Sequence, residues 1–290
     1  MSELLKRISV AVIGIPLAIF VILQGGIVFA ISIMLISSFA LIEYYKLTEK
    51  KEFKPNKILG LIVGLGLQIT LFFQMNSSNM EFFLFIEILL FTIITLIFEL
   101  FARKGNAVMN ISSTISGPLY ISLLLGTLIL IRDFARIPIA DDYFGSYIIK
   151  YGDMFFGYFV MSIFVSVWVC DSAAYFLGKK FGKHKLFPAV SPKKSWEGAI
   201  AGFIASIIGM LVFMKLLIPE FPVIHSLILG AIVGIFGQIG DLAESLLKRD
   251  AGIKDSSTIL PGHGGFLDRF DSIIFVSPIF FIYLYLIIIF

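Results

Sequence analysis

The chain has 290 residues, 58% of them hydrophobic, with 31 Phe and a formal net charge of +3. A soluble domain carries about 45–50% apolar residues, so this composition excludes one and predicts an all-α polytopic integral membrane protein. Cys170 is the lone cysteine, which excludes an intramolecular disulfide; the small net charge is uninformative until the cations are placed, and no nucleic-acid partner is expected.

A membrane span needs about 20 apolar residues. Nine segments qualify: Ile8–Leu23, Ile27–Tyr44, Ile58–Met75, Phe82–Phe101, Ile111–Ile131, Phe155–Leu177, Gly198–Leu217, Ile224–Leu247 and Phe270–Phe290. Lys6 and Arg7 precede the first as in a secretory signal. No small-x-small cleavage site stands before Gln24-Gly25-Gly26, however, and apolar runs follow at once, so Met1–Leu23 reads as a first transmembrane helix, short and bearing Pro16. Gln24-Gly25-Gly26 predicts a tight turn into the second span. The expected organisation is N-terminal spans over 1–110, middle spans with a region available for dimerisation over 111–170, and a catalytic region over 171–290.

Lys and Arg placement orients the spans. All but four of the 23 cations fall on one set of ends: Lys6 and Arg7; Lys46, Lys50, Lys51, Lys54 and Lys57; Arg103 and Lys104; six lysines from Lys179 to Lys194; and Lys248, Arg249, Lys254 and Arg269. The exceptions are Arg132, Arg136, Lys150 and Lys215. This puts the N-terminus in the cytoplasm and the C-terminus outside, with Arg132–Asp153 the longest external segment, read as an interfacial loop or short surface helix.

Two polar clusters lie on the basic side. In the first, Asp171 and Tyr175 are one helical turn apart on the sixth span. The lysines follow, in a loop punctuated by Gly178, Gly182, Pro188 and Pro192. Ser191-Pro192-Lys193-Lys194-Ser195 then leads into a helix with Glu197 near its start. A helix N-terminus beside lysines suits an anion; an anionic-lipid contact is the plainer reading, and Glu197 can complement the dipole or serve the site. In the second, Asp241, Glu244, Ser245, Lys248 and Arg249 share one face of an otherwise apolar helix. A charge at bilayer depth costs about 2.5–3.5 kcal/mol on insertion scales, so such a stripe normally faces a cavity. Pro261-Gly262-His263-Gly264-Gly265 follows, then Asp268, Arg269 and Asp271 at the start of the last span. Asp171, Asp241, Asp268 and Asp271 offer hard oxygen ligands suited to Mg²⁺. Lysines, Arg249 and Arg269 can neutralise phosphate, and the glycines let backbone N–H groups approach it. Together these are the groups of phosphoryl or nucleotidyl transfer. His263 reads as a hydrogen-bonding loop residue rather than a general base, and no Walker-type loop or His-Glu-x-x-His occurs.

At these residues the sequence resembles the phosphatidate cytidylyltransferases, or CDP-diacylglycerol synthases. Their signature of Ser, Lys-Arg, Lys-Asp, Pro-Gly-His-Gly-Gly and Asp-Arg-x-Asp stands here as Ser245, Lys248-Arg249, Lys254-Asp255, Pro261 to Gly265, Asp268-Arg269 and Asp271. The upstream pattern matches from Asp171 to Gly198. The resemblance implies transfer of the cytidylyl group of CTP to phosphatidate, Mg²⁺ with K⁺ as an optional second cation, a homodimer, and a polar cavity facing the cytoplasm at the inner membrane. It implies Asp241 and Asp268 as metal ligands and Lys248, Arg249 and Asp271 as further catalytic residues. Ser191, Lys193, Lys194, Ser195, Glu197, Gly262, His263, Gly264, Gly265, Arg269, Asp171 and Tyr175 are the implied substrate-binding set. A CTP-dependent lipid kinase and an ion-coupled transporter are the competing readings. The full signature argues against the first, and the clustering of polar groups on one membrane side rather than at the midplane argues against the second.

Overall fold

The structure is a computed structural model and describes residues 3–74, 80–102, 105–137, 140–257, 259 and 264–289. Among these residues eleven α-helices run in chain order: α1 Glu3–Gln24, α2 Gly26–Lys50, α3 Lys57–Gln74, α4 Met80–Ala102, α5 Ala107–Gly117, α6 Leu124–Arg132, α7 Ala140–Tyr151, α8 Met154–Phe181, α9 Trp196–Leu217, α10 Val223–Asp250 and α11 Leu267–Ile289. Among the described residues, seven helical stretches are long and apolar enough to cross a membrane, α5 and α6 joining into one from Ala107 to Arg132. The first and third expected spans fall on shorter apolar helices, Val12–Gln24 and Lys57–Phe73. The protein is thus an all-α polytopic membrane protein.

Two compact units make up the chain: Met1–Pro138 with Leu247–Phe270, and Ile139–Leu246 with Asp271–Phe290. In the first, the turn between α1 and α2 has Gly25 and Gly26 at φ 62° and 51°, and a Cβ on Gly25 would strike the Arg132 guanidinium. Arg132, 3% exposed, donates to the Ile22 carbonyl at 2.5 Å and the Leu23 carbonyl at 2.9 Å, while Asp133 accepts from Gly26 N at 3.2 Å. A cation thus sits at the end of α1 and a carboxylate at the start of α2, which is the favourable sense for both helix dipoles. Pro118 opens a π-helical turn, Pro118–Leu123, between α5 and α6. Proline lacks the N–H that an α-helix would use there, and the wider turn keeps the span continuous.

In the second unit, small residues set the helix contacts. A Cβ on Gly198 would stand 2.8 Å from the Ala174 carbonyl, and one on Gly202 2.9 Å from that of Cys170, so α8 and α9 meet backbone to backbone. Gly230 and Gly234 let α10 approach α9 in the same way, and Ser206 Oγ donates to the Gly230 carbonyl at 3.0 Å. Part of the Phe excess is used here: Phe144, Phe155, Phe156, Phe159, Phe221 and Phe280 pack edge to face and offset. The segment read as an interfacial loop or short surface helix contains the helix α7, where Lys150 and Tyr151 bond Glu220 and hold its carboxyl down at about 2.

One local expectation is corrected. The lysine-rich segment read as a loop contains an antiparallel hairpin, β1 Lys185–Phe187 and β2 Ser191–Ser195, with Phe187 opposite Ser191 and Lys185 opposite Ser195. Pro188 falls in the connection, where a missing N–H costs no ladder bond.

Candidate active site

The expected residues fall on few elements. Asp171 and Tyr175 lie on the exposed end of α8, Ser191, Lys193, Lys194 and Ser195 on β2, and Glu197 in the first turn of α9. Asp241, Lys248 and Arg249 lie on α10, and Asp268, Arg269 and Asp271 on α11, with Gly264 and Gly265 just before it. Gly262 and His263 lie outside the described residues, as do Arg103 and Lys104. The two units each hold a group of these residues.

In the second unit, carboxylate oxygens of Asp241, Glu244 and Asp271 all lie within 4.8 Å of one another. Helical spacing puts Asp241 and Glu244 on one face of α10. Gly240 brings α11 to them: a Cβ there would stand 2.5 Å from the Asp271 carbonyl oxygen, so only glycine permits this approach. Lys194 Nζ pairs with Asp241 Oδ2 at 2.6 Å, which ties the upstream lysine motif to the downstream carboxylates. Ser245 Oγ donates to Asp241 at 3.3 Å. Opposite oxygens around Mg²⁺ stand about 4 Å apart, twice the metal–oxygen distance. Adjacent oxygens stand closer, about 3 Å apart, so small side-chain adjustments would be needed for the trio to hold one such cation, and its hard oxygen donors fit it. The expected pair, Asp241 and Asp268, divides between the two units, and Glu244 is the member that the sequence reading left without a role.

Around the trio, Ser195 Oγ caps α9 by accepting from Gly198 N at 3.2 Å. Glu197 holds His184 Nδ1 at 2.7 Å and also accepts from its backbone N, so its carboxylate fastens the hairpin to the start of α9. Lys193 is exposed beside the half-buried Lys194.

In the first unit, Lys248 Nζ and Asp268 Oδ1 form an ion pair at 2.7 Å, their side chains 10% and 9% exposed. Asp268 also accepts from Gly265 N at 2.8 Å, Ser256 N at 3.0 Å and Ser256 Oγ at 2.9 Å. Glu43 of α2, 0% exposed, accepts from Ser256 and Ser257 hydroxyls and from the first amides of α11. Arg249 donates to the Ile253 carbonyl, and Arg269 is exposed. A separate cavity of about 240 Å³ opens among Tyr44, Thr48, Lys51, Met109, Ser113 and Asp250; no expected site residue lines it.

Comparison with known proteins gives a consistent result. The cytidylyltransferase family model matches residues 5–287. A Bacillus subtilis (strain 168) protein named phosphatidate cytidylyltransferase is 33% identical over 282 residues, covering 96% of each chain. A protein of the same name from Staphylococcus aureus (strain COL) is 31% identical over 282 residues, 94% of this chain and 96% of the other. One from Staphylococcus saprophyticus is 48% identical over 122 residues, 42% of this chain and 47% of its own.

Proposed function

The chain belongs to the cytidylyltransferase family and is a membrane nucleotidyltransferase, and on that footing we propose that it joins CTP and phosphatidate to give CDP-diacylglycerol and pyrophosphate in phospholipid synthesis. The observation that carries the reading is the trio of Asp241, Glu244 and Asp271 with Lys194 at its edge: acidic groups that can hold a cation, next to a cation that can hold a phosphate.

In the proposed reaction an oxygen of the lipid phosphate attacks the α-phosphorus of CTP, a new P–O bond forms, and the bond to the β-phosphate oxygen breaks to release pyrophosphate. The attacking phosphate is already ionised at neutral pH, so no strong base is required of the protein. The task is to bring two anions together and to stabilise the leaving group. Asp241, Glu244 and Asp271 would hold Mg²⁺, with K⁺ an optional second cation, and Asp268 is proposed separately as a metal ligand. A bound divalent ion there would neutralise phosphate charge and polarise the reacting phosphorus. Lys194 would exchange Asp241 for an incoming phosphate, which would free the Asp241 oxygen at the same moment. Lys193, Ser191, Lys248, Arg249 and Arg269 supply further charge and donors, and Ser195 and Glu197 keep the hairpin in place. Gly262, His263, Gly264 and Gly265 would approach a phosphate through their backbone, and Asp171 and Tyr175 would meet the substrate from α8. We further propose that the basic helix ends and the site face the cytoplasm at the inner membrane, that the acyl chains stay in the bilayer, and that the protein works as a homodimer.

The test is turnover of purified protein with phosphatidate, Mg²⁺ and each of CTP, ATP, GTP and UTP, following pyrophosphate and lipid product together. CTP-selective pyrophosphate release matched by CDP-lipid is expected; CDP with a phosphorylated lipid would mean a lipid kinase instead. The same assay separates the two hairpin lysines. Lys194→Ala should lower kcat/KM about tenfold or more, and Lys193→Ala by less, because only Lys194 touches a carboxylate of the trio. Equal effects would return both to a general attraction for anionic headgroups.

A further inference from the structure

Glu43 sits on α2, far in sequence from the signature residues, and its side chain is fully buried. Burying an unsatisfied carboxylate is costly, so its donors are informative. It accepts from Ser257 Oγ at 2.5 Å, Ser256 Oγ at 3.0 Å, Phe266 N at 3.1 Å and Leu267 N at 2.8 Å. Every donor belongs to the segment that leads into α11. Phe39, one turn earlier on α2, stacks on Phe266 with ring centroids 5.0 Å apart. Gly265 has no room for a side chain: a Cβ would lie 2.1 Å from Ser256 Oγ and 2.4 Å from Glu43 Oε2. The segment is therefore pinned at both ends, by its serines and by the first amides of α11.

Ser256 extends the connection. Its hydroxyl lies 3.0 Å from Glu43 Oε2 and 2.9 Å from Asp268 Oδ2, yet it has one proton to donate. It can satisfy one carboxylate at a time. The contact with Glu43 gives this hydroxyl an acceptor that does not depend on Asp268, while Asp268 still accepts from Gly265 N and Ser256 N.

We propose that Glu43 is a positioning residue for the reaction, acting through Ser256 and the first amides of α11 to set the place from which Asp268 works. The inference rests on the proposed role of Asp268 in cytidylyl transfer. A purely structural cap of α11 would alter stability alone, so the test uses kinetic readouts on the full-length protein.

Glu43→Gln and Ser256→Ala are compared with the wild type in detergent for kcat, KM for CTP, the Mg²⁺ concentration giving half-maximal rate, and the thermal midpoint. Glu43→Gln is expected to lower kcat about 10–100-fold and raise the Mg²⁺ requirement, with KM for CTP changed much less, in the range of residues that orient a ligand. Ser256→Ala should move the same two quantities in the same direction by less, the double variant should fall short of the combined single effects, and Glu43→Asp should recover part of the rate. Folded variants with kcat and Mg²⁺ requirement within about twofold of wild type overturn the inference. If Glu43→Gln does not fold, Ser256→Ala decides alone by the same criterion, because it leaves Glu43 with Phe266 and Leu267. A wild type without CTP turnover brings down the proposed function together with this inference; a wild type that turns over, with variants that match it, brings down this inference only.

Discussion

Asp241→Asn should lower turnover by at least about 10³-fold, equivalent to about 4 kcal/mol of transition-state stabilisation, while the protein stays folded. The two parts of this expectation have separate grounds. Asp241 is the member of the acidic trio that also pairs with Lys194 and accepts from Ser245, so a neutral amide there weakens the charge available to a cation and releases the lysine that should meet phosphate. Its side chain is 34% exposed and that of Lys194 28%, so solvent screens the loss and the stability cost is small. Size-exclusion behaviour and thermal midpoint check the fold, and pyrophosphate release checks the chemistry. Near-normal activity in this variant would remove the trio from the mechanism.

Asp268→Asn is expected to behave differently. Turnover should again be lost, but the thermal midpoint should fall as well, by the equivalent of about 3 kcal/mol, because Lys248 then keeps its charge in a place where its counter-charge has gone. The asparagine can still accept from Gly265 or Ser256, which limits the damage to the segment ahead of α11. The double variant Asp268→Asn with Lys248→Met removes both charges and should regain most of the midpoint without regaining activity. Recovery of stability without activity separates the structural part of the ion pair from its part in the reaction. If the single variant loses activity with no change in midpoint, the pair contributes little to stability.

The membrane class, most helix positions and the two polar clusters were legible in the sequence, for physical reasons. Apolar runs of span length and the restriction of lysines to alternate ends leave few arrangements. The face shared by Asp241, Glu244, Ser245 and Lys248 follows from the pitch of α10. What was not legible depends on contacts between distant segments. Gly240 decides that Asp271 joins Asp241 in the trio, and nothing local to Gly240 announces it. The hairpin at Lys185–Ser195 was hidden because two short, charged and proline-bearing strands carry no alternating apolar pattern. Glu43 did leave a signal, a carboxylate within an apolar run, where a charge is expensive unless it has partners. Its donors lie more than 200 residues away, so the sequence marks the residue without naming them.

In the proposed cytidylyl transfer, carboxylates of α10 and α11 bind the divalent ion. Mn²⁺ titrated into the purified protein and followed by its paramagnetic resonance tests this most directly, with CTP turnover measured on the same samples. A binding site is expected in the wild type that weakens about tenfold or more in both Asp241→Asn and Asp271→Asn, in step with the loss of turnover, and is unchanged in Lys193→Ala. Mn²⁺ binding of equal strength in the wild type and in folded Asp241→Asn protein would contradict it.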